Sequence, residues 1–207
     1  MEITFVKMHG NGNDFILIDE YEKTVIPDEM KPQFAQLYCD RRFGIGADGV
    51  LYLSRSGSAD LKMRLFQPDE SEAPMCGNGI RCFAKYAFDT GYVEKSCTVE
   101  TMAGIISVVM DYTDDTFLAT IQMPEPLFNR ADIPATGEGE YRETIEGYMV
   151  YAVNTGVPHA VIFVEDPASF PLIEIGPAIR HHASFSEGAN VNIVKREGED
   201  HISIRTY

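Results

Sequence analysis

Cys76 lies in Met75-Cys76-Gly77-Asn78-Gly79-Ile80-Arg81-Cys82-Phe83, directly ahead of a helical pattern. Ile80, Phe83, Ala84, Ala87 and Phe88 recur on one helical face, and Gly91 ends the run. A thiol at a helix N-terminus feels unpaired backbone N–H groups and the positive end of the dipole, and both favour the thiolate. Such a cysteine can act as a base or nucleophile near neutral pH. Gly77 and Gly79 let the backbone approach a ligand closely, with N–H groups free to hold a carboxylate. The chemistry this predicts is proton abstraction beside a carboxylate. Most free cysteines are small buried hydrophobes; the Gly-Asn-Gly setting at a helix start separates Cys76 from them. Cys82 is six positions further on, about 9 Å along the same helix and on a different face. It therefore does not serve the opposite side of a substrate held at Cys76. Cys39 and Cys97 fall in a helical and a strand pattern with no glycine cradle, which suits packing. The cysteines and five histidines show no ligand spacing, so no metal is expected.

Composition bounds the class. The chain has 207 residues, 44% hydrophobic and 24% charged, as in ordinary globular proteins. This length holds one large domain or two small ones. A net charge of −15 argues against nucleic acid or an anionic membrane as partner. The four cysteines are dispersed without C-x-x-C pairs, which points to a reducing cytosol. The N-terminus lacks the basic and apolar regions of a signal peptide, and no apolar run approaches membrane-spanning length.

The elements that must position Cys76 are mostly strands. Ile3-Thr4-Phe5-Val6 alternates, and Phe15-Ile16-Leu17-Ile18 follows a Gly10-Asn11-Gly12-Asn13 turn. Lys31 to Arg41 reads as a helix with Pro32 in its first turn. Asp60 to Phe66 alternates as a half-buried strand. Cys97 to Thr101, Gly104 to Tyr112 and Thr116 to Met123 read as successive strands. Pro124-Glu125-Pro126 marks a boundary, and Ala135 to Glu143 an exposed loop.

The part after this boundary repeats the part before it. Gly12-Asn13-Asp14-Phe15 is matched by Gly156-Val157-Pro158-His159, each leading into an apolar strand. Ala47-Asp48-Gly49-Val50 is matched by Ala189-Asn190-Val191-Asn192, and Met63 to Phe66 by Ile204 to Tyr207. The spacing between partners is nearly constant. Extended further, the repeat puts a second Cys-Gly helix start about as far beyond Tyr207 as Cys76 lies beyond Phe66. The expected fold is α/β (α+β), with two pseudo-symmetric domains over residues 1–120 and 124–207. Each is a curved, mostly antiparallel sheet around a central helix, and the second is incomplete, its helix lying beyond this sequence.

These motifs resemble those of the diaminopimelate epimerases, which are cofactor-independent amino-acid epimerases. Met8 to Phe15 resembles the opening motif, with Asn11 where an apolar residue is usual. Arg42 to Gly49 resembles the second motif, and Cys76 to Cys82 the first catalytic-cysteine motif. Asn154 to His159 and Glu187 to Asn192 resemble those of the second domain. The resemblance covers essentially the whole chain. It implies interconversion of LL- and meso-diaminopimelate in lysine biosynthesis by two thiols, one removing the α-proton and the other delivering a proton to the opposite face. It implies no cofactor, an amino-acid substrate, a cytoplasmic location and a homodimer.

The resemblance also implies residue roles. Cys76 is one acid/base, and His159 lies near the thiols. Gly77 and Asn78 offer backbone donors to the carboxylate, while Asn13 and Asn190 hydrogen-bond the polar ends of the substrate. Gln67 takes a position where a substrate-binding Asn is usual, and Val157 one where many members carry an Asn. With the second Cys-Gly motif absent, this chain alone is expected to be inactive. Two alternatives stand beside this reading. One is a related two-thiol racemase for another amino acid, and the other a shortened paralogue that binds without catalysis.

Overall fold

A computed structural model describes residues 2–114, 116–123 and 125–207. They fall into two compact units, Met1–Gln122 and Met123–Tyr207. Pro124, in the expected boundary, lies outside the described residues.

The first unit runs β1 (Val6–Gly10), β2 (Asn13–Asp19), α1 (Lys31–Cys39), β3 (Gly49–Ser54), β4 (Leu61–Phe66), β5 (Glu72–Ala73), α2 (Gly77–Asp89), β6 (Ser96–Thr101), β7 (Gly104–Thr113) and β8 (Thr116–Ile121). The strands form one sheet in the order β1-β2-β3-β4-β6-β7-β8, with β5 paired to β4. Helix α2 touches β1 and β8 at the two edges of this sheet, as well as strands between them. The sheet therefore curls around the helix. The apolar positions read from the sequence make that contact. Ile80, Phe83, Ala84 and Ala87 are fully buried and pack with Phe15, Leu17, Leu51, Leu53, Met63 and Leu65 from the concave face. On the convex face α1 packs over Ile16, Ile18, Val50 and Tyr52. Its first residue, Lys31, is buried in an ion pair with buried Glu20 at 2.8 Å.

Asn11 and Gly12, with φ of 55° and 86°, close a two-residue hairpin between β1 and β2, where Gly10 faces Asn13. Asn-Gly is the pair that adopts this left-handed turn at least cost. One expectation needs correction. Ile3 to Phe5 alternate in sequence but carry no ladder, and β1 begins at Val6. Alternation marks which face a residue takes, not where pairing starts.

The second unit runs β9 (Arg142–Ile145), β10 (Tyr148–Asn154), β11 (Pro158–Phe163), α3 (Leu172–Arg180), β12 (Asn190–Arg196) and β13 (Ile202–Thr206), in the sheet order β13-β12-β11-β10-β9. β10 to β13 repeat the pairing of β1 to β4: antiparallel, then parallel across a helical crossover, then antiparallel. The ladders also fix the equivalences. Phe15 pairs with Gly49, and His159 with Asn190. Val50 pairs with Phe66, and Val191 exchanges both hydrogen bonds with Tyr207. Asn190 thus takes the place of Gly49, not that of Asp48 as the sequence match had it; backbone pairing, not residue likeness, sets the register.

Helix α3 packs on the face carrying Ala160, Ile162, Val191 and Ile193, as α1 does in the first unit. The other face corresponds to the one that α2 fills. Among the described residues of this unit no helix lies on it, and Tyr151, Phe163, Ile202 and Ile204 are exposed there. The membrane question has a narrower answer: among the described residues no helix is long and apolar enough to span a bilayer.

The α2 core yields a stability prediction. Phe83→Ala should cost about 3–5 kcal/mol, the usual range for deleting a buried aromatic ring. Urea unfolding of the two proteins measures it, and a loss under about 1 kcal/mol would mean that the sheet does not close on the helix.

Candidate active site

The start of α2 meets the ends of three strands. β2 begins at Asn13, β3 at Gly49, and β4 ends at Phe66 opposite Val50. Cys76 is the residue that caps α2. Its backbone is extended, with φ −144° and ψ 116°, and its sulfur accepts the Gly79 N–H at 3.4 Å. Gly77 and Asn78 belong to the first turn, where the N–H groups have no carbonyl within the helix to pair with. Gly79 lets the sulfur sit close: a Cβ there would lie 3.5 Å from it and 3.3 Å from Cys76 Cβ.

Asn13 stands against the thiol, with its Oδ1 3.6 Å from Cys76 Sγ. The Asn13 amide nitrogen donates to Asp48 Oδ2 at 2.7 Å. Asn11 donates to Asn78 Oδ1 at 3.1 Å, so the hairpin tip also holds the first turn of α2. Close packing reinforces this, since a Cβ on Gly10 would come within 3.3 Å of Asn78 O. Cys76, Gly77, Asn78 and Asn13 are therefore one cluster. Gln67 is next to the end of β4 but is engaged elsewhere, donating to Ser71 Oγ at 2.8 Å within its own turn.

His159 and Asn190 lie in the second unit, paired across β11 and β12. His159 is half-buried, and its Nδ1 faces Asn192 Nδ2 at 3.0 Å. The amide donates and Nδ1 accepts, which leaves the ring proton on Nε2. Burial holds His159 below the ordinary histidine value. Asn190 Oδ1 accepts from Arg180 at 3.2 Å. Val157 lies in the three-residue turn between Asn154 and Pro158.

The other cysteines have different surroundings. Burial pushes the thiols of Cys39, Cys82 and Cys97 each up to about 11. All four cysteines are free, and Cys76 alone is not buried.

Comparison with known proteins gives this cluster a family. The sequence matches the diaminopimelate epimerase family over residues 5–126 and 151–207. The chain belongs to that family. It is 52% identical to the diaminopimelate epimerase of Methanothrix thermoacetophila, over 100% of this chain and 73% of the relative. It is 51% identical to that of Methanocella arvoryzae, over 100% of this chain and 74% of the relative. Solved structures share the fold at lower identity. A phenazine biosynthesis protein of the PhzF family from Bacillus anthracis superposes with a TM-score of 0.66 at 17% identity, covering 99% of this chain and 70% of that one. A hydroxyproline epimerase from Agrobacterium vitis gives 0.61 at 14% identity, covering 98% and 68%.

Several residues beside these groups carry no role on sequence grounds. In the first unit Asp48 accepts from Asn13 and Arg41 pairs with Asp48 at 2.8 Å; in the second, Asn192 partners His159. Asp48 and Asn192 both stand inside the quoted motifs. The signal was there, but nothing along the chain says which neighbour each one meets.

Two outcomes follow for this epimerase-family chain. Iodoacetamide should modify Cys76 well before the other three thiols, because only buried sulfurs compete with it; peptide mapping reads the order, and first labelling of Cys39, Cys82 or Cys97 would contradict the assignment. His159 should make the fold acid-sensitive. Its folded value lies below the ordinary 6.5, so the unfolded chain takes the proton first. The stability is full above 6.5 and is lost as pH falls from there toward the folded value. His159→Phe, which copies Phe15 at the equivalent place, should flatten the profile of unfolding midpoints between about pH 7.5 and about pH 5. An unchanged slope would remove His159 as its cause.

Proposed function

We propose that Cys76 is one of two acid/base groups that interconvert LL- and meso-diaminopimelate in lysine biosynthesis, without a cofactor. The observation that carries this reading is the capping geometry of Cys76. Its sulfur sits at a helix start between a donor, Gly79 N–H, and an acceptor, Asn13 Oδ1. In the forward step the thiolate takes the α-proton and becomes a thiol. The electron pair left on the α-carbon spreads into the carboxylate. The N–H groups of Gly77 and Asn78 and the helix dipole meet that charge, in the manner of an oxyanion hole. A thiol on the opposite face then delivers a proton, and the roles exchange in reverse.

The three buried cysteines are poor candidates for that second thiol, and Cys82 is on the same helix as Cys76. We assign the second acid/base to the part of the relatives that this chain does not span, since it covers 73% and 74% of them. His159, Asn190 and Gln67 are proposed to serve the substrate from their strand ends. Gln67 would have to release Ser71 to do so. A cytoplasmic homodimer completes the proposal.

Incubating each diaminopimelate stereoisomer with the 207-residue chain in D₂O tests it. The expected result is deuterium at one α-carbon of one stereoisomer, without inversion. Cys76→Ala should slow that exchange by roughly 10²–10⁴. Robust inversion by the 207 residues would falsify the placement of the second thiol. Exchange that survives Cys76→Ala would end the acid/base role of Cys76, and preference for a monocarboxylic amino acid would favour a racemase of another substrate.

A further inference from the structure

We propose that Asp48 is a positioning residue that turns the carbonyl oxygen of Asn13, and not its NH₂, toward the Cys76 sulfur. The proposal rests on Cys76 being an acid/base group. It starts from a chemical asymmetry. The two ends of an amide have nearly the same shape, but a carboxylate only accepts. The 2.7 Å contact between Asn13 and Asp48 Oδ2 therefore identifies the end facing Asp48 as Nδ2. The other end, 3.6 Å from the sulfur, has to be Oδ1.

Asp48 is itself held from several sides. Its Oδ2 also accepts the Asp14 N–H at 3.0 Å, and its own N–H donates to Asp14 O at 2.8 Å. Its Oδ1 accepts from Arg41 at 2.8 Å. The same guanidinium grips both oxygens of Asp14, at 2.7 and 3.2 Å, and Lys7 pairs with Asp14 as well. Arg41 and Lys7 hold the Asp14 carboxyl well below the usual carboxylate range. Both oxygens of Asp48 are thus engaged by donors on its own side of the contact, which holds the acceptor facing Asn13 in place.

The orientation matters because the sulfur has two roles. A carbonyl oxygen beside it accepts the S–H and supports the thiol; an NH₂ group there would donate and support the thiolate. Gly79 N–H already supplies one donor. With Asn13 fixed as acceptor, each protonation state of the sulfur has one matched neighbour. That balance suits a group that must both take and give a proton. Among the charged and titratable groups, Cys82 on α2 is near enough to act on Cys76, Arg81 on α2 bonds the Gly77 carbonyl, and Asp48 stands behind Asn13 with Arg41, Asp14 on β2 and Lys7 on β1 beyond it.

The test compares Asp48→Ala with Asp48→Asn in the 207-residue chain. The readout is the rate of iodoacetamide reaction at Cys76, mapped by mass spectrometry, as a function of pH. Asp48→Ala frees the Asn13 amide to turn over, so the midpoint should fall by about one pH unit, the effect of one changed hydrogen bond to a charged group. Asp48→Asn keeps an oxygen that accepts the same N–H and should restore the wild-type midpoint. Equal downward shifts in both variants would mean that lost charge, and not orientation, acts on the sulfur; an unmoved midpoint in Asp48→Ala would also overturn the proposal. A purely structural Asp48 would lower the melting temperature and leave the midpoint in place. Should Asp48→Ala fail to fold, the side-chain amide of Asn13 in the wild-type chain decides by NMR. Slow exchange and restricted rotation of its NH₂ protons are expected, and free rotation would overturn the proposal. Wild-type Cys76 that does not react at all would strike at the acid/base reading instead.

Discussion

Helix α2 has to bury Ile80, Phe83, Ala84 and Ala87, and the surface that takes them is the concave face of its own sheet. Burial of this kind is worth roughly 1.5–3 kcal/mol for each large side chain. It fixes the helix along its length and in rotation. Once it is fixed, its N-terminus can lie nowhere but at the edge where β2 and β3 begin. The position of the thiol is therefore a consequence of core packing. The same constraint leaves the first-turn N–H groups facing that edge, because the helix cannot pair them internally.

At that edge the chain uses short polar links in place of further burial. Asn11 holds Asn78, Asn13 lies against Cys76, and Asp48 holds Asn13. Each link is at least partly exposed, and a hydrogen bond for which water competes contributes little net stability. Their value is directional: an amide between a carboxylate and a sulfur has one satisfied orientation. The core supplies the energy of the fold, and the polar chain supplies the geometry of the site.

The second unit shows how one strand plan serves two surroundings. β10 to β13 repeat β1 to β4 in pairing and register, and α3 takes the place of α1. The other face differs. Where Phe15 and Leu51 are buried under α2, the equivalents are His159 and Asn192, joined by a hydrogen bond. Polar residues are tolerated there because each has a partner: Asn192 also accepts from Thr206 at 2.9 Å. Burial still leaves its mark, lowering the affinity of His159 for a proton.

Sequence alone determined the α2 stripe, the capping cysteine, most strands and the internal repeat. These are local patterns, in which periodicity follows from the 3.6-residue helix and the two-residue strand. It also singled out Cys76, because a thiol flanked by glycines at a helix start is a short-range feature. Tertiary structure decided the rest. Asp48 and Asn13 are distant in sequence, and only the parallel pairing of β2 with β3 brings them into contact. The equivalence of Asn190 with Gly49 likewise came from the ladder, since hydrogen-bond register is a relation between strands and leaves no mark in either one. The contrast between Cys76 and the three other thiols was decided by burial. A cysteine looks the same along the chain whether the fold covers it or leaves it at an edge.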